Sequence, residues 1–216
     1  VIAIDGPVAA GKTAVGRELA RTLGFSHLDT GIMYRAITWL ALKNGVPVED
    51  ETSLGELARA NPLGLVGDDG DQVLAAGHTL GRELRDPSVD RNVSMVSKAP
   101  PVRRELVAQQ RQIAVRGKIV MIGRDIGTVV LPDADLKVYL TASAENRAQR
   151  RWQEMQERGQ AVELMTVLSD TLARDRTDSS REDSPLRPAQ DAWELNTDGL
   201  DIGQVVQKII DQVSSL

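Results

Sequence analysis

Apolar residues fall along this chain in two rhythms. Val1-Ile2-Ala3-Ile4, Ile119-Val120-Met121-Ile122 and Leu136-Lys137-Val138-Tyr139-Leu140 are short, nearly unbroken apolar runs. Such runs read as strands of a parallel sheet covered on both faces. Between them the spacing changes to three and four. Val15, Leu19 and Leu23 mark one stripe of a helix over residues 12–23, with Gly24 as its C-terminal cap. Met33, Ile37 and Leu40 mark a second helix, which Thr30 is placed to cap and Gly45 to end. Further helices are predicted over residues 50–60, 102–115, 144–158, 163–175 and 202–213, and a last strand over 192–195. The two charged helices, 144–158 and 163–175, are joined through Gly159. Strands alternating with helices predict an α/β protein with a doubly wound parallel sheet, binding its ligands at the carboxyl ends of the strands.

The rhythm breaks at Asn61-Pro62. Short β-like pieces at 63–66 and 72–76 flank Gly67-Asp68-Asp69-Gly70, a turn sequence, and Gly77 follows. This predicts a small antiparallel insertion running to about Lys98. A length of 216 residues suits one domain carrying such an insertion. No apolar stretch is long enough to cross a bilayer, and no signal-peptide pattern opens the chain, where Val1 already reads as strand. The absence of Cys excludes a disulfide framework and thiolate chemistry and suits a cytoplasmic location.

A net charge of −5 and an aromatic share of 3% argue against a nucleic-acid polymer as partner, which needs a basic face and stacking platforms. The cations are nevertheless unevenly chosen. Arg outnumbers Lys more than threefold, and between Lys137 and Lys208 every basic residue apart from His is Arg. Arg grips phosphate with a bidentate fork, so a small, highly charged ligand is expected.

The chemistry begins directly after the first strand. Gly6-Pro7-Val8-Ala9-Ala10-Gly11-Lys12-Thr13 has the spacing Gly-x-x-x-x-Gly-Lys-Thr, and Ala14 continues into the helix. A Gly-rich turn aims successive backbone N–H groups at an anion, and the helix N-terminus adds its dipole. Lys12 reaches the outer phosphates of a nucleoside triphosphate, and the Thr13 hydroxyl is the candidate ligand for Mg²⁺, mostly through waters. Four more segments gather Asp, Arg and hydroxyl groups: Asp29-Thr30-Gly31-Ile32-Met33-Tyr34-Arg35, Gly123-Arg124-Asp125-Ile126-Gly127-Thr128, residues 174–181, and Ser184-Pro185-Leu186-Arg187-Pro188.

In this order behind the phosphate loop, these segments resemble the bacterial cytidylate kinase family of nucleoside monophosphate kinases over nearly the whole chain. Asp-Thr-Gly-x-Met-Tyr-Arg with Gly-Arg-Asp-Ile-Gly-Thr is far more specific than the loop itself. The resemblance implies a five-stranded core of P-loop kinase type (1–60, 99–146 and 181–216), a monophosphate-binding insertion (61–98) and a helical lid with its adjoining helix (147–180). It implies transfer of phosphate from ATP to CMP, and to dCMP, with Mg²⁺; the mostly polar charged helices offer no dimer stripe, so a monomer is expected. Gly6 to Ala14, with Arg150, would hold ATP. Thr30, Arg35, Arg124 and Arg181 would grip the acceptor phosphate, Ser94, Arg103 and Asp125 would read cytosine, and Arg174 and Asp178 would hold the ribose. Lys12, Arg124, Arg181, Arg147 and Arg151 would carry catalysis, with Arg147, Arg150 and Arg151 forming the Arg cluster of the mobile lid.

Residue chemistry agrees with that assignment. Cytosine offers an amino donor beside two acceptors, which a carboxylate and a guanidinium complement. Uracil would mismatch both, at about 1–3 kcal/mol apiece. Plainer readings stand beside it: Asp178 and Arg181 as an i,i+3 surface pair, the lid arginines as a solvated helix face, Met33 and Tyr34 as packing residues. His27 and His78 lack partners for metal or catalysis. Ile122 stands where the family usually carries Glu or Asp, a carboxylate that orders water around magnesium, and Asp5 is the candidate to take up part of that task. A uridylate- or adenylate-specific kinase, or a nucleotide-dependent switch, remain the alternatives, the last disfavoured by the lack of Asn-Lys-x-Asp.

Overall fold

The computed structural model describes residues 1–66 and 72–215. The turn predicted at Gly67-Asp68-Asp69-Gly70 lies outside them. In chain order the elements are β1 (Ile2–Asp5), α1 (Lys12–Leu23), β2 (Ser26–Asp29), α2 (Thr30–Lys43), α3 (Glu51–Ala60), β3 (Gly64–Val66), β4 (Gln72–Ala75), β5 (His78–Leu80), α4 (Pro87–Val96), α5 (Pro100–Ala114), β6 (Ile119–Ile122), β7 (Leu136–Thr141), α6 (Ala144–Glu157), α7 (Leu164–Ser179), β8 (Trp193–Asn196) and α8 (Ile202–Val213). They fall into two units, Val1–Phe25 with Val120–Leu216, and Ser26–Ile119.

The main sheet has five strands, and the four in the first unit lie in the order β6-β1-β7-β8, all parallel. Ile2 pairs with Val120 on one side and Leu136 on the other, Ile4 with Ile122 and Val138. Because strand side chains alternate, these residues turn to one face, where Val15 and Leu19 of α1 and Val205, Val206 and Ile209 of α8 close an apolar core. At about 25 cal/mol per Å² of buried apolar surface, this layer is the main source of the unit's stability. Helix α8 starts sharply at a capping box: the Asp201 carboxylate accepts the Gln204 N–H at 2.8 Å, and the Gln204 side chain accepts the Asp201 N–H at 3.0 Å. Asp5, Lys137 and Tyr139 occupy the opposite face by register.

In the second unit, α2 packs against α3 and α4, and α3 against α5. The predicted antiparallel pieces form a three-stranded sheet, β3-β4-β5, with Gly64 opposite Leu74 and Val73 opposite Leu80. Four expectations change. The cap of α2 is Asp29, whose Oδ1 accepts the Gly31 N–H at 2.9 Å, while Thr30 is the first helical residue. Asp29 is the residue with extended dihedrals at the strand–helix joint, as a cap requires. The insertion is not purely antiparallel, since α4 fills 87–96, opened by Asp86 accepting the Ser88 N–H and by Pro87 in the first turn. Strand β2 is absent from the apolar pattern because Ser26-His27-Leu28-Asp29 holds one aliphatic residue. Helix α7 runs on to Ser179, past the predicted end at 175, and so carries Asp178 on its last turn.

Candidate active site

β1 and β6 are parallel neighbours, so their carboxyl ends open at one edge of the first unit's sheet. The phosphate loop leaves β1 there, and Arg124-Asp125 leaves β6. Gly6 admits no side chain: at φ 147° a Cβ would sit 2.2 Å from the Leu140 carbonyl oxygen. Gly11 caps α1 at φ 95°. The Lys12 ammonium donates to the Gly6 and Pro7 carbonyls, each at 2.7 Å, which holds it on the loop. Thr13 stands in the first turn of α1, at the positive end of the helix dipole.

Asp5 ends β1 on the buried side, 4% exposed. Its two carboxylate oxygens accept the Ile126 and Gly127 N–H groups at 2.8 and 2.7 Å. These open a π-type turn, Ile126–Val130, so Asp5 fastens the segment that follows Arg124-Asp125. Burial lifts its pKa to about 6, against the two N–H groups; nearby Asp125 adds to the rise and Lys12 opposes it. The geometry therefore gives Asp5 a structural task, anchoring that segment. Ile122 is part of the apolar core beneath α1 and α8.

Asp178 is fully buried and lies between two cations: Arg124 Nε donates to one carboxylate oxygen, Arg181 Nη2 to the other. The i,i+3 relation of Asp178 and Arg181 is real, but the pair is interior and belongs to a three-residue cluster. Arg174 is on the same helix, α7. Asp125 is buried beside Arg124.

The three arginines of α6 differ from one another. Arg147 is 5% exposed and fully engaged. Its fork meets Asp175 at 3.0 and 2.7 Å, Nε donates to the Ala142 carbonyl at 3.0 Å, and Nη1 also reaches the Val8 carbonyl of the phosphate loop at 3.3 Å. Arg150 donates to the Thr197 hydroxyl at 3.1 Å and carbonyl at 2.9 Å, beyond β8. Arg151 reaches Glu154 at 3.5 Å. Gly159, at φ 73°, ends the turn between α6 and α7.

The second unit holds Thr30, Arg35, Ser94 and Arg103. Thr30 is buried at the N-terminus of α2, a position suited to phosphate. Arg35 Nη1 donates to the Leu84 carbonyl at 2.8 Å and meets Asp90 at 2.7 Å. Arg103 of α5 is 3% exposed, with Nη1 3.4 Å from both the Tyr34 hydroxyl and the Ser97 carbonyl. Its guanidinium carbon lies 5.9 Å from the Tyr34 ring centroid. Ser94 sits on α4. Met33 and Tyr34 are buried packing residues, as expected.

Sequence reading missed the acids behind these cations. Asp90 and Asp175 are distant in sequence from Arg35 and Arg147, and no spacing rule connects them. A partial signal existed for Asp175, which lies within an Arg-rich run.

Fold and loop together define a kinase of the P-loop type. A family model described as cytidylate kinase matches residues 2–215. A cytidylate kinase of Desulfitobacterium hafniense is 46% identical over 97% of this chain and 90% of that protein. One of Streptococcus equi is 48% identical over 100% and 96%. A bifunctional pantoate ligase/cytidylate kinase of Trichodesmium erythraeum is 43% identical over 98% of this chain but 40% of that longer protein. Among solved structures, a shikimate kinase from Bacteroides thetaiotaomicron superposes with TM-score 0.50 at 14% identity, over 99% of this chain and 97% of that one, a likeness of fold alone. The chain belongs to the cytidylate kinase family. It is a phosphotransferase whose activity is the ATP-dependent phosphorylation of CMP.

Proposed function

We propose that the chain converts ATP and CMP to ADP and CDP by direct in-line transfer, accepts dCMP as well, and works as a cytoplasmic monomer. The observation that carries this reading is the Arg124–Asp178–Arg181 cluster, in the same unit as the phosphate loop. A nucleotide switch has no use for a second site built of guanidinium groups. Among the described residues no helix is long and apolar enough to cross a membrane.

The acceptor needs no general base, because a phosphate monoester with a second pKa near ~6 is mostly a dianion at pH 7. The barrier is repulsion between two anions, so the work is neutralisation and alignment. In the first unit, residues Gly6 to Ala14 with Arg150 hold ATP. Lys12 leaves its two loop carbonyls to meet the outer phosphates, and Arg124 and Arg181 turn toward the acceptor phosphate. Asp125 reads the cytosine amino group, Arg174 and Asp178 the ribose, and Arg151 closes with the lid. In the second unit, Thr30 and Arg35 serve the acceptor phosphate, and Ser94 and Arg103 the base.

No group of three or more His, Cys, Asp or Glu placed to hold a metal occurs among the described residues. The donor set at the loop is one hydroxyl, Thr13, which fits a Mg²⁺ ion carried mainly by substrate phosphates and water. When bound, that ion withdraws charge from the bridging oxygens.

A coupled assay across CMP, dCMP, UMP, AMP and GMP, with and without Mg²⁺, tests the reading. CMP and dCMP should turn over, UMP weakly, the purines not at all, and none without metal. Equal turnover of UMP, or nucleotide binding without transfer to any acceptor, would overturn it.

A further inference from the structure

Arg147 reaches the phosphate loop's own backbone, at the Val8 carbonyl. Four contacts fix it, two to Asp175 of α7, one to the Ala142 carbonyl and one to the Val8 carbonyl. A side chain so buried and so fully bonded is poorly suited to swing onto a substrate. The carbonyl it holds matters. There are no cis peptide bonds among the described residues, so the Val8–Ala9 peptide directs its N–H opposite to its C=O. Fixing the Val8 carbonyl on Arg147 therefore fixes where the Ala9 N–H points, away from the guanidinium. Ala9 also occupies the left-handed region at φ 59°, which costs a residue with a Cβ on the order of 1 kcal/mol. Something around it must hold that conformation: Lys12 holds the Pro7 carbonyl, and Arg147 holds the Val8 carbonyl, which belongs to the peptide that leads directly into Ala9.

We infer that Arg147, braced by Asp175, is a positioning residue of the phosphate loop: it orients the Val8–Ala9 peptide so that the Ala9 N–H is preset for a nucleotide phosphate. This rests on the kinase reading above and replaces the catalytic role that the family resemblance implied for Arg147. Arg147 then acts on donor binding through the loop and does not touch the transferring phosphoryl group. Loop N–H groups of this kind cradle the inner phosphates, which ATP and ADP share.

That sharing provides the test. A guanidinium aimed at the transferring phosphoryl has nothing to hold in ADP, whereas a misaligned cradle binds ADP as badly as ATP. Calorimetric titration with ADP and with CMP is run on wild type, Arg147→Gln, Arg147→Lys and Asp175→Asn. The expected result is ADP affinity lowered at least tenfold in Arg147→Gln, with CMP affinity within twofold of wild type. Arg147→Lys keeps the charge and loses the fork, and should stay at least fivefold weak for ADP; Asp175→Asn should fall in the same direction by less. CMP affinity doubles as the check on folding, and if Arg147→Gln does not fold, the Lys and Asn variants carry the test. Unchanged ADP affinity with lowered turnover in the substituted enzymes would overturn the inference, as would full recovery in Arg147→Lys, which would make net charge the cause. Wild type that binds no ADP would sink the kinase reading itself, a separate and recognisable failure.

Discussion

The two units present their cations differently. In the first, two guanidinium groups, those of Arg124 and Arg181, share one buried carboxylate, Asp178. In the second, Arg35 has its own carboxylate, Asp90, and Arg103 rests on a phenol and a carbonyl. The difference teaches where each ligand energy comes from. A carboxylate shared by two guanidinium groups can release one of them to a phosphate and keep the other, whereas a one-to-one ion pair must part to gain a phosphate. Charge neutralisation should therefore lean on the first unit, with Lys12, Arg124 and Arg181, while the second contributes Arg35 to the acceptor phosphate and shares reading of the base with Asp125.

The sharpest way to break that comparison is at Lys12. Lys12→Met should lower turnover on the order of 10³-fold with the fold intact, through loss of the cation that meets the outer phosphates. Steady-state kinetics beside a far-ultraviolet dichroism spectrum reads both. A loss smaller than that of Arg35→Ala would reverse the ranking of the two units.

Asp178→Ala comes next. It leaves two guanidinium groups without their shared anion in an interior position, which should cost about 3 kcal/mol of stability in urea unfolding. If Asp178 contacted only ribose, the substitution would raise the KM for CMP and leave the unfolding midpoint in place. Arg35→Ala should act more locally. The KM for CMP should rise about tenfold, ~1.4 kcal/mol, while ADP affinity stays at the wild-type value. An equal loss for both nucleotides would erase the division of labour.

The parts that were legible in sequence were those written in contiguous residues. Gly6 to Thr13 declared both loop and ligand, because the backbone geometry needs Gly at fixed offsets, and the main strands declared themselves as unbroken apolar runs. Strand β2 was missed because it bears one aliphatic residue, whereas helix α4 carried a stripe of Val89, Val93 and Val96 at helical spacing that was passed over within the antiparallel insertion. The pairings of Arg35 with Asp90 and Arg147 with Asp175 were illegible for another reason. Ion pairs across a fold leave no local spacing, and Asp is common on surfaces. Arg147 was legible as chemistry but not as position: a helix face rich in Arg looks solvated until the Val8 carbonyl is seen behind it.

The smallest effect distinguishes a residue that serves the fold from one that serves the metal. Asp5 has a folded-state pKa raised from 3.8 to about 6 by burial. The folded protein therefore binds this proton more tightly than the unfolded chain. Its contribution to stability is fully present below pH 3.8 and is lost as pH rises through about 6. Between pH 7 and pH 5 the linkage amounts to roughly 1 kcal/mol. Other carboxylates pull the opposite way, since Asp191 is held low by Lys137 and Asp198 by Asn146 and the Ser143 N–H. The quantity to measure is thus the difference between wild type and Asp5→Asn. Urea unfolding at pH 5, 6 and 7 should show wild type gaining about 1 kcal/mol relative to the variant on acidification. Parallel stability curves would mean that Asp5 does not carry the proton, and a variant altered only in its Mg²⁺ requirement would return Asp5 to the metal. The turn that holds Arg124 and Asp125 would then need another anchor, although the Ile126 and Gly127 N–H groups both point at this carboxylate.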